Sequence, residues 1–225
     1  MKTYSEIRLA AVAGVALSLS GCGNDQDRID FAELSKSIVS QVGGADNAQG
    51  QQAIAAPADV LAQISGPVII GAARGGTEIF YLIGVRDNGP YRTYATGTRQ
   101  TMTFRQGVVT ATRGAGNDLM SSDIDQTLAL LRSGQDGQAR RVMQYLDAED
   151  ITSDLVLDCT ITTGLSAPGA GAIAEMPGRK MTEDCTSGPI SFSNSYSLDG
   201  TGRVTASVQW LSTDTGPVVF KELRP

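Results

Sequence analysis

Residues 77–96, TEIFYLIGVRDNGPYRTYAT, decide how this chain folds. Two runs rich in Ile, Phe, Tyr and Thr, 77–86 and 91–96, flank Arg86-Asp87-Asn88-Gly89-Pro90. Asn/Asp-Gly pairs supply the positive φ that hairpin tips need, and β-branched and aromatic residues suit a pleated, half-buried surface, so the stretch reads as a β-hairpin. The pattern recurs where Asp199-Gly200-Thr201-Gly202 separates 190–198 from 203–212. Working outward, further strands are expected at 67–73, 100–105, 107–113, 140–147, 152–163 and 217–223. Their number and spacing predict a mainly β domain, an antiparallel barrel-like or sandwich fold with a few short helices.

Two helices belong to this domain. One is expected at 57–64, where Pro57 takes a favourable first position and Gly66-Pro67 ends the run. The other follows Ser121-Ser122-Asp123, because Ile124, Leu128, Leu130 and Leu131 recur at helical intervals; it would pack across a sheet or plug a barrel end. Residues 164–179, rich in Gly, Ala and Pro, read as a mobile hairpin end.

Ahead of the domain, Lys2 and Arg8 precede an apolar run from Leu9 to Leu19. Its eleven residues are too few for a membrane span of roughly 20, and basic residues before a short apolar run are signal-peptide architecture. Leu19-Ser20-Gly21-Cys22 resembles the bacterial lipobox, whose Cys is acylated after cleavage; the alternative is an ordinary secretory signal that happens to end in Cys. Acyl chains on Cys22 would each contribute about 0.8 kcal/mol per buried methylene, enough together for stable anchoring. Gly23, where an Asp would resemble an inner-membrane retention signal, favours the outer membrane of a two-membrane cell. The expected organisation is a signal peptide over 1–21, an acylated polar tether over 22–56 with a short helix starting near Asp30, and a β-rich domain over 57–225.

Composition narrows the function. The 225 residues include 18 basic and 24 acidic side chains and no histidine, a formal charge of −6. That balance gives no electrostatic footprint for nucleic acid. Lack of imidazole removes Ser-His-Asp and Cys-His activation and the usual zinc ligand, and no cofactor is expected. Without residues 1–21 the chain keeps 16 basic and 23 acidic residues, −7, so attachment to a membrane would rest on lipid. Cys159 and Cys185 are the other two cysteines. In an oxidising compartment they predict a disulfide; a redox or metal pair would want CxxC spacing or a histidine partner.

Local clusters offer few chemical candidates. Arg113-Gly114-Ala115-Gly116-Asn117-Asp118 could converge backbone amides on an anion beside Arg113, or be a tight strand-to-helix turn capped by Asn117 or Asp118. Glu149-Asp150 and Glu183-Asp184 could supply paired carboxylates for glycoside hydrolysis, but neighbours on a strand point apart and read as solvated surface. Tyr91 and Tyr94 flank the first hairpin as possible stacking platforms for sugar rings, and alternation puts them on opposite faces, leaving at most one exposed. Trp210 reads as a core contact.

Two segments carry a family resemblance: Gly107-Val108-Val109-Thr110-Ala111-Thr112-Arg113-Gly114 with Asn117-Asp118-Leu119-Met120, and Asn194-Ser195-Tyr196, Asp199, Gly202-Arg203-Val204, Ser207, Gln209-Trp210 with Leu223-Arg224-Pro225. With the lipobox, they resemble the group 4 capsule polysaccharide lipoproteins of the YjbF/GfcB type, from about residue 57 onward; Ser197 stands where that family often has a second aromatic. The resemblance implies a β-rich, barrel-like fold, a role in exopolysaccharide secretion or assembly at the outer membrane, and no catalytic residues. Partners would then be the membrane, through the acyl chains, and a polysaccharide or outer-membrane export protein. The competing readings are a periplasmic glycan-binding module and a carboxylate-based hydrolase or lyase.

Overall fold

The two-residue hydrophobic period becomes a single twelve-stranded antiparallel sheet in the computed structural model, which describes residues 55–146, 151–166 and 171–225. The signal peptide, Cys22, the helix expected near Asp30 and Glu149-Asp150 lie outside the described residues. In chain order the elements are α1 (Pro57–Gln63), β1 (Val68–Ala73), β2 (Glu78–Asn88), β3 (Tyr91–Ala95), β4 (Thr101–Arg105), β5 (Val108–Arg113) and β6 (Leu119–Asp123). There follow α2 (Asp125–Ser133), β7 (Gly137–Leu146), β8 (Thr152–Thr163), α3 (Gly171–Ala174), β9 (Arg179–Ser187), β10 (Ile190–Leu198), β11 (Val204–Trp210) and β12 (Pro217–Arg224).

The strand order is β5-β4-β3-β2-β1-β12-β11-β10-β9-β8-β7-β6. Two meanders are thus joined where β1 pairs with β12, and the outermost strands, β5 and β6, are consecutive in the chain and lie side by side. The result is a nearly closed barrel, which leaves one seam instead of two free edges. Side chains bridge that seam. The Thr112 hydroxyl accepts from the Leu119 amide at 3.0 Å and donates to Asp118 Oδ1 at 3.1 Å, while Arg113 Nη1 donates to the Leu119 carbonyl at 2.9 Å. From across the interior, Gln209 accepts from the Val109 amide at 2.9 Å and donates to the Gly107 carbonyl at 2.9 Å. Backbone groups that lack a ladder partner are satisfied this way.

The inner face holds one large apolar cluster that includes Leu82, Phe104, Met143, Leu157, Met181 and Phe220, with Leu128 and Leu131 of α2 packed into it. Two smaller clusters cover the outside. Val60 of α1 lies on Val68, Tyr81 and Ile83, and Arg224 at the end of β12 donates to the Leu61 and Ile64 carbonyls at the end of that helix. Ile173 of α3 lies on Ala206 and Val208. Residues 171–178 therefore form a packed flap on β11, a correction to the mobile hairpin end expected there, because Ile173 is fully buried.

Two strands had no sequence signal. Leu119–Asp123 is short and polar, and Ser121-Ser122-Asp123 reads as a helix cap; Asp123 Oδ1 does accept the Asp125 amide, at 3.1 Å, but from the end of a strand. Arg179–Ser187 hides its alternation because charged Glu183 faces inward.

The first hairpin is tighter than its Asn-Gly signature implies. Asn88 pairs with Tyr91, so Gly89-Pro90 forms the two-residue turn and only Gly89 has positive φ, 57°. Gly107, at φ 86°, has a second constraint: a Cβ there would run into the Val204 carbonyl oxygen, where the β4–β5 turn meets β11 through Val204 N–H donating to Gln106 O at 3.2 Å. Gly107→Ala should cost roughly 2–3 kcal/mol, whereas Gly89→Ala, whose Cβ meets open space, should cost about 1. Thermal unfolding of the two variants side by side checks the difference.

Candidate functional site

The end of the barrel where β2 turns into β3 opens into a cleft of about 430 Å³. Asp87 and Gly89 to Arg92 of the hairpin, Gln106-Gly107 of the next turn, the start of β11 and Glu222 of β12 form its walls. The floor is aromatic. Tyr94 meets Phe104 edge-on at 5.4 Å between ring centres, and Phe104 meets Phe220 edge-on at 5.3 Å.

The charged groups on the walls are paired. Arg92 donates to Asp87 from Nε at 2.6 Å and from Nη2 at 3.3 Å, and this hydrogen bonding holds the Asp87 carboxyl below its usual range. Arg203 grips Glu222 with both terminal nitrogens, Nη1 on Oε2 and Nη2 on Oε1, and its Nε lies 3.7 Å from Asp199. Such fork-on-fork pairs fix planar donors and acceptors in place. Tyr94 is buried beside Arg92, and burial raises its phenol pKa despite that cation.

Both tyrosines named from the sequence line this cleft, from opposite sides of β3 as alternation requires. Tyr94 belongs to the floor. Tyr91 is half-buried, with the Arg105 guanidinium 5.7 Å from its ring centre. Of Arg92, Arg203 and Glu222, only Arg203 stood in a segment quoted from the sequence, and there for family resemblance; scattered over 130 positions, the three meet because β1 pairs with both β2 and β12.

The glycine-rich loop lies elsewhere, at the seam. Asp118 Oδ2 accepts the Gly114 amide at 2.7 Å and Oδ1 the Ala115 amide at 3.0 Å. Arg113 donates to the Thr112 and Leu119 carbonyls at 2.5 and 2.9 Å, and Asn117 is an exposed turn residue with φ 41°. An internal carboxylate thus takes the amides an external anion would need. The loop joins two strands, not a strand and a helix as expected.

The interior holds a polar network that sequence reading missed. Glu183, fully buried, accepts from Arg141 Nη1 at 3.0 Å and from Asn194 Nδ2 and the Tyr196 hydroxyl at 2.7 Å, all on Oε2; Thr127 of α2 donates to Oε1 at 2.7 Å. Arg141, itself 1% exposed, also donates from Nε to Ser122 at 3.1 Å. Burial alone would push the Glu183 carboxyl up, but Arg141 and the three neutral donors hold it below its ordinary value. This corrects the expectation of solvated surface for Glu183; Asp184, its neighbour, is exposed as expected. The inward turn follows once 179–187 is a strand: Cys185 faces the core, and a period of two places Glu183 on the same face.

Cys159 and Cys185 sit directly opposite each other on β8 and β9 and are disulfide-bonded. Their sulfurs and a Glu183 oxygen lie within 4.8 Å of one another, but bonded sulfurs offer no thiolate to a metal. Asn194, Tyr196 and Gln209, which carry the family resemblance, thus serve the barrel interior, and Asn194 Oδ1 also accepts the Trp210 amide at 2.7 Å. Trp210 stacks on Phe192 at 4.4 Å between ring centres.

Comparison with known proteins agrees with this architecture. The model for "Group 4 capsule polysaccharide lipoprotein gfcB, YjbF" matches residues 32–223, starting ahead of residue 57, where the resemblance was placed from sequence. Among solved structures, the hypothetical lipoprotein YmcC from Escherichia coli K12 is similar, with a TM-score of 0.58 at 17% identity over 72% of this chain and 85% of that one, a likeness of fold. No curated protein matches the sequence.

Proposed function

The chain belongs to the group 4 capsule polysaccharide lipoprotein family, and from that premise we propose that it acts without catalysis in capsule or exopolysaccharide secretion or assembly, contacting the polymer through the cleft at the β2–β3 end of the barrel. Cys22 is acylated and holds the protein in the inner leaflet of the outer membrane, with the barrel in the periplasm. The lipobox and Gly23 support this placement. The work done is positioning: a lipid-held domain keeps one surface beside the export path.

The observation that carries the reading is an open cleft with an aromatic floor and hydrogen-bonding walls, whose carboxylates, Asp87 and Glu222, are each held by an arginine. An acid for glycoside cleavage has to keep its proton near neutral pH, and Asp87 is shifted the opposite way. The glycine-rich loop with Arg113, Asn117 and Asp118 is assigned to closing the seam, and Tyr91 and Tyr94 to the contact.

Titrating the protein with purified native polysaccharide tests the contact. The wild type should bind, and Arg92→Ala, which frees Asp87 and unsettles the wall, should weaken binding about tenfold, or about 1.4 kcal/mol. Absence of binding at millimolar sugar transfers the role to an export protein as partner. Unchanged polymer export after deletion of the gene, or an unmodified Cys22 in mass spectra of the mature protein, would count against the proposal itself.

A further inference from the structure

We propose that the glycan contacted by the cleft is uncharged and linear, and that it crosses the rim of the barrel into a second cavity on the outer flank. This rests on the polysaccharide reading above. The second cavity, also about 430 Å³, lies against Met176-Pro177-Gly178 of the flap and the Asp199-Gly200 turn. It shares Thr205, Ala206 and Glu222 with the first, so a narrow strip of β11 and β12 is the saddle between them. Each volume suits a small ligand, and one molecule that fills both must be an extended chain laid over that strip.

The charges say what kind of chain. Three carboxylates, Asp87, Asp199 and Glu222, and three cations, Arg92, Arg203 and Lys221, face the two cavities. Arg92 is spent on Asp87, and Arg203, on the first cavity, has Glu222 and Asp199 as its partners. An anionic sugar would have to break one of these pairs to gain an arginine, would reach Lys221 only in the second cavity, which the Asp199 and Glu222 carboxylates also line, and would approach a chain of net charge −6. A neutral sugar need not. A guanidinium has five donors and a carboxylate about four acceptor sites, so each pair keeps unused groups in a fixed plane, suited to adjacent hydroxyls.

Gly200 provides a clean test. It lines the second cavity and not the first, a Cβ there meets open space, and its backbone is not in the left-handed region. Wild type and Gly200→Trp, each as full-length protein in a sugar-free detergent, are titrated with size-graded oligosaccharides cut from the native capsular polysaccharide. Short fragments should bind both equally, which also shows that the variant is folded. Longer fragments should bind the wild type at least about tenfold more tightly than short ones, as linked contacts do, and G200W should abolish that gain. Affinity should stay constant between roughly 50 and 500 mM salt, across which charged contacts are screened. Binding that does not grow with length, a gain that survives in G200W, or a steep loss with salt overturns the inference while leaving the cleft as the contact. Failure of every fragment to bind removes the polysaccharide reading itself.

Discussion

Glu183→Gln should destabilise the folded protein by about 3–5 kcal/mol, because it leaves the Arg141 guanidinium charged and buried with no counterion. Arg141 has no route to water: its side chain is 1% exposed, and its other contacts are the Ser122 hydroxyl and the Val109 carbonyl. For a domain of this size each kcal/mol moves the melting temperature by roughly 2–4 °C, so calorimetry should show a fall on the order of 10 °C. The double variant Arg141→Met with Glu183→Gln should recover most of that loss, since it removes the orphaned charge while the Gln side-chain amide still partners the Asn194, Tyr196 and Thr127 donors that the carboxylate held. A double variant as unstable as the single one would mean that the pair contributes net stability beyond avoiding an orphaned charge.

The same carboxylate gives the protein an acid limit. The folded-state pKa of Glu183 lies below its ordinary value. Its contribution is therefore fully present above the unfolded carboxylate value near 4 and is lost as pH falls through the lower, folded value. Wild-type stability should decline on acidification in that window, and the decline should be shallower in Glu183→Gln, which has no proton to gain there. Urea midpoints measured across the window for both proteins check the difference.

Replacing Cys159 and Cys185 together with Ala should cost about 3.5 kcal/mol, the chain-entropy value for a closed loop with the observed separation of 26 residues. Both residues are buried in the main core, so dithiothreitol should reduce the bond slowly in the folded protein and rapidly once urea has opened it. Free alkylation of both thiols in the native protein, with an unfolding midpoint indifferent to reductant, would falsify the bridge. Because the bridge joins β8 to β9, one strand pair from α2, its loss should loosen the Thr127 contact with Glu183 before it disturbs the cleft. Hydrogen exchange should then rise first in residues 125–133.

Residues 77–96 and the cysteine pair each act through chemistry local to a few positions. A pleat has a period of two, a tight turn wants glycine at positive φ, and two cysteines without histidine partners suit a disulfide. Sequence by itself therefore determined a mainly β architecture, the two hairpins, α1 and α2, and the Cys159–Cys185 pairing. Only the tertiary structure decided that Glu183 turns inward onto Arg141, that Asp118 fills the amides of its own loop, and that Arg92, Arg203 and Glu222 converge on one cleft. Those facts depend on which strands are neighbours. Pairing β1 with β12 brings residues some 150 positions apart to within a hydrogen bond, and no local period carries that distance.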